Sequence, residues 1–258
     1  MEGKAFDRYV NLDSIADGFF RDAVVEHVSV YCEVFDERLV SVYVWGSVHR
    51  NEAVPEVSDL DLHPFVIDAV TDADRFQLRE SEASLRREFL SLHGLVTPRS
   101  VDRVSEVATR LCHDATLVWG EDLIKGIEIP PPDPVEAFRD PRELVRFAAG
   151  LLEDNTTDFS LPEEPSLRLR KLGRLAVLGG GYLLMASGSR YSLKGSEVLP
   201  LLEEVSPDWR GFLRRTSEIY VHPVQPSESE VDEYLSQLVE WMEWIKDQMQ
   251  EKSAVAGT

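Results

Sequence analysis

Residues 42–66 read VYVWGSVHRNEAVPEVSDLDLHPFV and predict two neighbouring strands joined by a polar loop. The first apolar run ends in Gly46-Ser47, and the second run carries Asp59 and Asp61 two positions apart. Alternate residues of a strand point to the same face, so both carboxylates are expected on one side of a sheet. The leucines that flank Asp61 are then expected to pack on the other side.

This pairing of carboxylates with a Gly-Ser turn suits a metal ion bound to a phosphate chain. Mg²⁺ in phosphate chemistry is held by one or two carboxylates together with phosphate oxygens of the substrate. Gly46 has no Cβ, so a polyphosphate can approach the backbone closely, and the Ser47 hydroxyl and nearby N–H groups can donate to it. The stretch therefore predicts a site for Mg²⁺ and a polyphosphate.

The arrangement resembles the motif of the nucleotidyltransferase superfamily, whose fold is shared with DNA polymerase β. That motif consists of an apolar strand, Gly-Ser, a short loop and Asp-x-Asp on the next strand, and here eleven residues separate Ser47 from Asp59. In length and layout the chain is most similar to bacterial aminoglycoside adenylyltransferases of the streptomycin/spectinomycin type. The loop at residues 49–58 departs from the pattern, because it lacks the glycine that family members often carry and contains Glu52 and Glu56.

The resemblance implies an α+β fold in two domains. Residues 1–128 would form the nucleotidyltransferase catalytic domain, a small mixed sheet with flanking helices. Residues 135–258 would form an all-α helical bundle that contributes to substrate and nucleotide binding. Between them, residues 129–134 read IPPPDP, which breaks regular structure and predicts a linker.

The resemblance also implies a reaction, the Mg²⁺-dependent transfer of AMP from ATP to a hydroxyl of a small cationic acceptor, with release of pyrophosphate. An aminoglycoside is the implied acceptor, and its modification gives antibiotic resistance. Gly46 and Ser47 would bind the nucleotide, and Asp59 and Asp61 would hold one or two Mg²⁺.

A third carboxylate is expected from the same resemblance, as a metal ligand or as the base for the acceptor hydroxyl. Asp102 is the preferred candidate, because residues 100–104 alternate like a strand and Asp102 follows Asp61 by 41 residues. Glu106 is the alternative. The alternative interpretation of Asp102 is a salt bridge to Arg99 or Arg103 on a solvated strand face.

The composition narrows the class of partner. The chain has 258 residues and a formal net charge of −20, which disfavours DNA or another nucleic acid backbone as a partner. The charge suits a cationic acceptor or serves only solubility. Cys32 and Cys112 are too few for a disulfide framework and are expected to be free thiols in a reducing cytoplasm. No signal peptide or membrane span is expected, and the oligomeric state stays open.

Apolar periodicity predicts helices around the strands. Residues 13–38 are predicted as a helix capped by Asp13 or Ser14, and residues 71–93 as a helix that begins with a capping box of Thr71 and Asp74. Gly94 would end the second helix. Further helices are predicted at residues 142–154, 167–187, 193–205, 209–220 and 228–252. Three glycines at residues 179–181 indicate either close packing or a break in the helix.

Several other polar residues have two interpretations each. Lys194 resembles the Ser-x-Lys segment by which the helical domain of these adenylyltransferases approaches ATP, or it is a solvated lysine at a helix start. Arg50 reaches a phosphate or pairs with Glu52. His49 and His63 lie near the two aspartates and raise the alternative of a transition-metal site. Acidic residues that could face a cationic acceptor, or simply water, are Glu153, Asp154 and Asp158.

Two other functions remain open. One is a protein- or RNA-directed nucleotidyltransferase of toxin–antitoxin type. The other is a nucleotide-binding relative without catalysis, which the loss of the third carboxylate would favour. A serine hydrolase built on Ser47 is excluded, because the chain has no Gly-x-Ser-x-Gly elbow there.

Overall fold

The structure is a computed structural model, and it describes residues 8–55, 58–85, 95–128, 164–188, 192–221 and 224–256. The chain divides into two compact units, Met1–Pro130 and Pro131–Thr258. The expected linker at residues 129–134, the expected helix at 142–154, Gly94 and the acidic residues at 153–158 lie outside the described residues.

The first unit is built on a mixed sheet, which has four strands in the described residues. The strands are β1 (Leu39–Trp45), β2 (Asp61–Val66), β3 (Arg99–Ser100) and β4 (Ala115–Gly120), in the order β3-β2-β1-β4. β1 is antiparallel to β2 and β4, and β3 is parallel to β2. Together with the helices of both units this gives the predicted α+β fold.

The strand register places one end of the sheet at the predicted motif. Trp45, the last residue of β1, lies opposite Asp61 on β2 and opposite Ala115 on β4. We call this the Trp45 end of the sheet. The short helix α2 (Gly46–His49) follows β1 directly and begins there.

Helix α1 (Gly18–Phe35) starts later than predicted. Residues Leu12–Ser14 form a short 3₁₀ turn, so the predicted cap at Asp13 or Ser14 is wrong. Asp17 is the cap instead, and its side chain accepts hydrogen bonds from the N–H groups of Phe19 and Phe20 at 2.8 and 3.3 Å. These bonds satisfy two of the donors that a helix start leaves without an intrahelical partner.

Helix α3 (Asp72–Glu82) begins with the predicted capping box of Thr71 and Asp74, which is confirmed. The helix ends at Glu82, where Ser84 closes a tight turn, and residues 86–93 of the predicted helix lie outside the described residues. The Ser84 N–H and hydroxyl both donate to the Ser81 carbonyl, at 2.9 and 2.5 Å. Ser and other short polar residues compete with the helix in this way.

The predicted strand at residues 100–104 is wrong beyond Ser100. Residues Val101–Val107 form a 3₁₀ segment, and helix α4 (Ala108–Asp114) continues from it. Three valines spaced three residues apart pack against the core cluster of Tyr43, Phe65 and Leu111. A spacing of three matches the 3₁₀ helix, whose residues i and i+3 share one side. The three are Val101, Val104 and Val107.

The second unit is helical, as predicted. Its described helices are α5 (Pro165–Ala186), α6 (Gly195–Val205), α7 (Arg210–Val221) and α8 (Glu228–Ala256). Helix α5 runs through the three glycines without a break. A Cβ on Gly180 would lie 2.1 Å from Leu202 Cδ1, and one on Gly181 would lie 2.8 Å from the Ser192 carbonyl oxygen. The glycines are therefore explained by close packing.

No helix in the described ranges is long and apolar enough to cross a membrane.

Candidate functional site

The Gly-Ser turn stands at the Trp45 end of the sheet. Gly46 has φ +70°, in the left-handed region that favours glycine. Ser47 is 1% exposed, and its Oγ has no hydrogen-bond partner among the described residues. The Ser47 carbonyl accepts from the N–H groups of Glu52 and Ala53 at 2.9 and 3.1 Å, which folds the following loop back over the turn. A buried hydroxyl without a described hydrogen-bond partner thus lies in a hydrogen-bonded turn.

The two aspartates lie across the sheet from this turn. Asp61 opens β2 opposite Trp45, and Asp59 precedes the strand by two residues; both are half-buried. Leu60 and Leu62 belong to the core cluster that includes residues of α1. The predicted burial of these leucines is confirmed, and alternation turns Asp59 and Asp61 to the opposite face.

The backbone just before Asp59 is held by a pair of hydrogen bonds. The Ser58 N–H donates to the Val54 carbonyl at 2.9 Å, and the Val54 N–H donates to the Ser58 hydroxyl at 3.0 Å. Ser58 is itself buried. These bonds fix the direction in which the chain enters the Asp59-Leu60-Asp61 segment without the glycine that related loops carry.

Arg50 pairs with Glu52, one of its two predicted interpretations, and also with a residue that sequence reasoning missed. Its Nε lies 3.1 Å from Glu52 Oε2, and its Nη1 lies 2.6 Å from Asp114 Oδ1. The three side chains are 5%, 9% and 7% exposed. Asp114 directly precedes β4, so this buried ionic cluster ties the loop after α2 to the start of a neighbouring strand. An acidic residue just before an apolar strand is the signal that could have identified it.

The histidines do not form a metal centre in the described part of the chain. His49 Nδ1 lies 2.8 Å from Thr116 Oγ1. Burial lowers the pKa of His63 to about 3, and the charges of Arg99 and Arg110 contribute to that lowering. His63 is therefore neutral at pH 7, and its ring contacts Trp45. Among the described residues, no three His, Cys, Asp or Glu side chains are grouped so as to hold a metal.

The structure does not bring Asp102 beside Asp61. β3 runs parallel to β2 with Ser100 opposite Val66, so the chain leaves the sheet at the end remote from Asp61. The five residue steps from Asp61 to Val66 span about 16 Å at about 3.3 Å each. Asp102 lies beyond that end and is exposed.

Glu106, the alternative third carboxylate, is engaged elsewhere. Its two carboxylate oxygens accept hydrogen bonds from Arg103 at 2.9 and 2.8 Å. One of them also lies 3.8 Å from Arg99 Nη1. Glu106 therefore neutralises arginines of the exposed 3₁₀ segment and of β3.

The donor set at the Trp45 end fits Mg²⁺. Two carboxylates on one face are as many protein ligands as Mg²⁺ commonly takes when phosphate oxygens and water complete its coordination. The Ser47 hydroxyl, which no described residue engages, lies beside the left-handed Gly46 and provides a donor for a phosphate oxygen. Asp59 and Asp61 are the residues that would hold the ion.

Lys194 belongs to the second unit, where it is half-buried and stands at the N-terminus of α6. Its N–H donates to the Ser192 hydroxyl at 3.3 Å, and that hydroxyl donates to Glu197 at 2.9 Å. The Ser-x-Lys segment is thus a helix start with a local hydrogen-bond network.

Comparison with known proteins finds matches among solved structures alone. No protein-family model matches the chain, and no curated protein matches it. Among solved structures, the chain is similar to the spectinomycin adenyltransferase AAD(9) from Enterococcus faecialis, crystallised with ATP and spectinomycin. The two chains are 12% identical, with a TM-score of 0.48, over 86% of this chain and 98% of that one.

Proposed function

We propose that the chain is a Mg²⁺-dependent nucleotidyltransferase that transfers AMP from ATP to a hydroxyl of a small cationic acceptor, such as an aminoglycoside, and releases pyrophosphate. One observation carries the proposal. The Gly46-Ser47 turn, with its left-handed glycine and a hydroxyl that no described residue engages, meets Asp59 and Asp61 at the same end of one sheet.

Each of these residues has a separate task in the proposed reaction. Gly46 lets the phosphate chain lie against the backbone, and the Ser47 hydroxyl donates to a phosphate oxygen. Asp59 and Asp61 hold one or two Mg²⁺, which neutralise phosphate charge when bound. Hydrogen bonds from Glu52 and Ala53 to the Ser47 carbonyl, and between Val54 and Ser58, hold the two pairs in place, so the protein contributes mainly by positioning the reactants.

The acceptor is proposed from the charge of the chain. A net charge of −20 attracts a cation and repels a nucleic acid backbone. We assign the catalytic groups to residues 1–128 and propose that residues 135–258, with Lys194, complete the binding of nucleotide and acceptor. The two cysteines are free thiols, in keeping with a cytoplasmic enzyme.

A second candidate function is nucleotide binding without catalysis. The position of Asp102 favours it, because Asp102 lies past the end of the sheet remote from Asp61. No third carboxylate of the described residues joins Asp59 and Asp61 in a metal-binding group.

The deciding measurement is Mg²⁺-dependent release of pyrophosphate from ATP, with and without a panel of aminoglycosides. We expect one acceptor to stimulate release, and Asp59→Asn or Asp61→Asn to abolish it with an unchanged circular dichroism spectrum. Asp102→Asn serves as the matched carboxylate variant and should retain activity. Full activity of the Asp59→Asn/Asp61→Asn double variant would refute the assignment.

The same assay separates the two candidates. ATP binding measured by calorimetry, together with no release for any acceptor, would leave a nucleotide-binding protein. Loss of release in Asp102→Asn as well as in Asp61→Asn would show that the segment after β3 reaches the site during turnover.

A further inference from the structure

Arg110 is a cation at the Trp45 end of the sheet that the function proposed above does not use. It lies on α4 and is half-buried, and its Cζ stands 4.4 Å from the centroid of the Trp45 ring. Trp45 immediately precedes Gly46 and is the cross-strand partner of Asp61. Directly opposed residues of two strands share a face, so Arg110 stands on the face that carries the aspartates.

Most of the other described arginines of the first unit contact a carboxylate, and the remaining two, Arg21 and Arg79, donate to backbone carbonyls. In the described part of the chain, no carboxylate lies within ion-pair distance of Arg110, although the protein has 47 acidic residues against 27 lysines and arginines. Six arginines of the same unit each contact a carboxylate. They are Arg8, Arg38, Arg50, Arg75, Arg99 and Arg103.

The contact with Trp45 leaves the hydrogen-bonding capacity of Arg110 unused. A guanidinium that lies over an aromatic ring still has five N–H donors that can bind oxygen acceptors. No described residue accepts a hydrogen bond from them. The planar fork of a guanidinium matches two oxygens of a phosphate, and a ring that supports it fixes its orientation.

A polyphosphate bound at the Trp45 end of the sheet needs a positively charged group beside the two aspartates. Asp59 and Asp61 are two negative groups, and a phosphate chain brings more negative charge than one Mg²⁺ neutralises. Arg50 is already engaged by two carboxylates.

We propose that the Arg110 guanidinium binds the phosphate chain of the nucleotide next to Asp59 and Asp61, with Trp45 as its support. The ligand class is a polyphosphate. The inference rests on the proposed function only for the identity of that polyphosphate as part of ATP.

The test is calorimetric titration of the full chain with MgATP, with inorganic tripolyphosphate and Mg²⁺, and with adenosine. Arg110→Met removes the charge and keeps a flexible apolar side chain against Trp45. Arg110→Lys keeps the charge and loses the fork. Arg103→Met is the matched control, because Arg103 pairs with Glu106 on an exposed surface.

We expect Arg110→Met to weaken binding of ATP and tripolyphosphate about tenfold to a hundredfold, the range for loss of a hydrogen bond to a charged group. Adenosine affinity should be unchanged. Arg110→Lys should lie between wild type and Arg110→Met, and Arg103→Met should match wild type. A purely structural role would lower the affinities for ATP and adenosine together, with a matching fall in Tm.

Each outcome decides the proposal. Unchanged ATP affinity in Arg110→Met would overturn the phosphate-binding role of Arg110 and leave the nucleotidyltransferase assignment intact. An equal loss of affinity for ATP and for adenosine would have the same consequence. If the wild-type chain binds tripolyphosphate but not ATP, and Arg110→Met loses the tripolyphosphate binding, the polyphosphate site is supported and the nucleotide function is refuted. If the wild-type chain binds neither tripolyphosphate nor ATP, both the polyphosphate site and the nucleotide function are overturned.

Discussion

Replacement of Arg50 by Met should destabilise the first unit strongly. The guanidinium contacts Glu52 and Asp114, and the three side chains are at most 9% exposed. Removing Arg50 changes the net charge of this cluster from −1 to −2 in a place that water scarcely reaches. Breaking a buried ion pair by removing one partner costs about 3–5 kcal/mol, so we expect the free energy of unfolding to fall by that amount.

Denaturant unfolding of a double-mutant cycle measures this effect. Asp114→Asn leaves Arg50 paired with Glu52 and should cost less, about 1–3 kcal/mol. In the Arg50→Met/Asp114→Asn double variant the loss should be smaller than the sum of the single losses by at least about 0.5 kcal/mol, because the residues are in contact. Arg103→Met removes an exposed pair and should cost no more than about 1 kcal/mol.

The result also bears on the site, because Arg50 follows α2 and Asp114 precedes β4. Loss of their 2.6 Å contact releases the loop after the Gly-Ser turn from the neighbouring strand. A loss below about 1 kcal/mol in Arg50→Met, equal to that of Arg103→Met, would contradict the reasoning. It would mean that water solvates the two carboxylates once the arginine is gone.

Two further substitutions test the sheet and a helix start. Gly120→Ala should lower the free energy of unfolding by more than about 2 kcal/mol, since φ is +83° and a Cβ would lie 2.0 Å from the Val40 carbonyl oxygen. Gly126 is the control, because its φ is +85° but a Cβ there would meet open space. Gly126→Ala should therefore lower the free energy of unfolding by only about 1–2 kcal/mol. The Arg38 side chain and the Thr71 cap hold the pKa of Asp74 below its usual range. The Asp74 carboxylate therefore stabilises the fold fully above about pH 3.9, and this stabilisation is lost as pH falls through the folded-state pKa. Asp74→Asn should therefore be less stable than wild type at pH 7, and unfolding measured from pH 7 to strongly acidic pH should show the difference shrinking; a difference independent of pH would contradict this account.

The Asp59-Leu60-Asp61-Leu62 segment could be predicted from sequence because its residues alternate between half-buried and buried, although the rest of β2 is buried throughout. Leu60 and Leu62 must enter the core, and this turns Asp59 and Asp61 to the other face. The described helices of the second unit could also be predicted from sequence, since long apolar stripes with a period near 3.6 tolerate errors of a residue or two at their ends.

The segment around Asp102 was misread because a short stretch fits two periods. Val101 and its neighbours alternate over a few residues as a strand does, while the valines at 101, 104 and 107 repeat every third residue. Packing of those valines on the core cluster around Tyr43 selects the 3₁₀ form. The contact of Arg50 with Asp114 spans 64 residues, and no local pattern indicates a pair so distant in sequence.

The position of Asp102 limits how the proposed transfer could handle a proton. A general base must lie within hydrogen-bond reach of the hydroxyl that it deprotonates. A hydroxyl beside Asp61 lies about 16 Å from the far end of β2, so Asp102 is out of reach in the described arrangement. Asp114 is bound to Arg50 and Glu106 to Arg103. None of these three described carboxylates therefore serves as the base, and in the proposed reaction catalysis depends on positioning and charge neutralisation, to which Arg110 contributes.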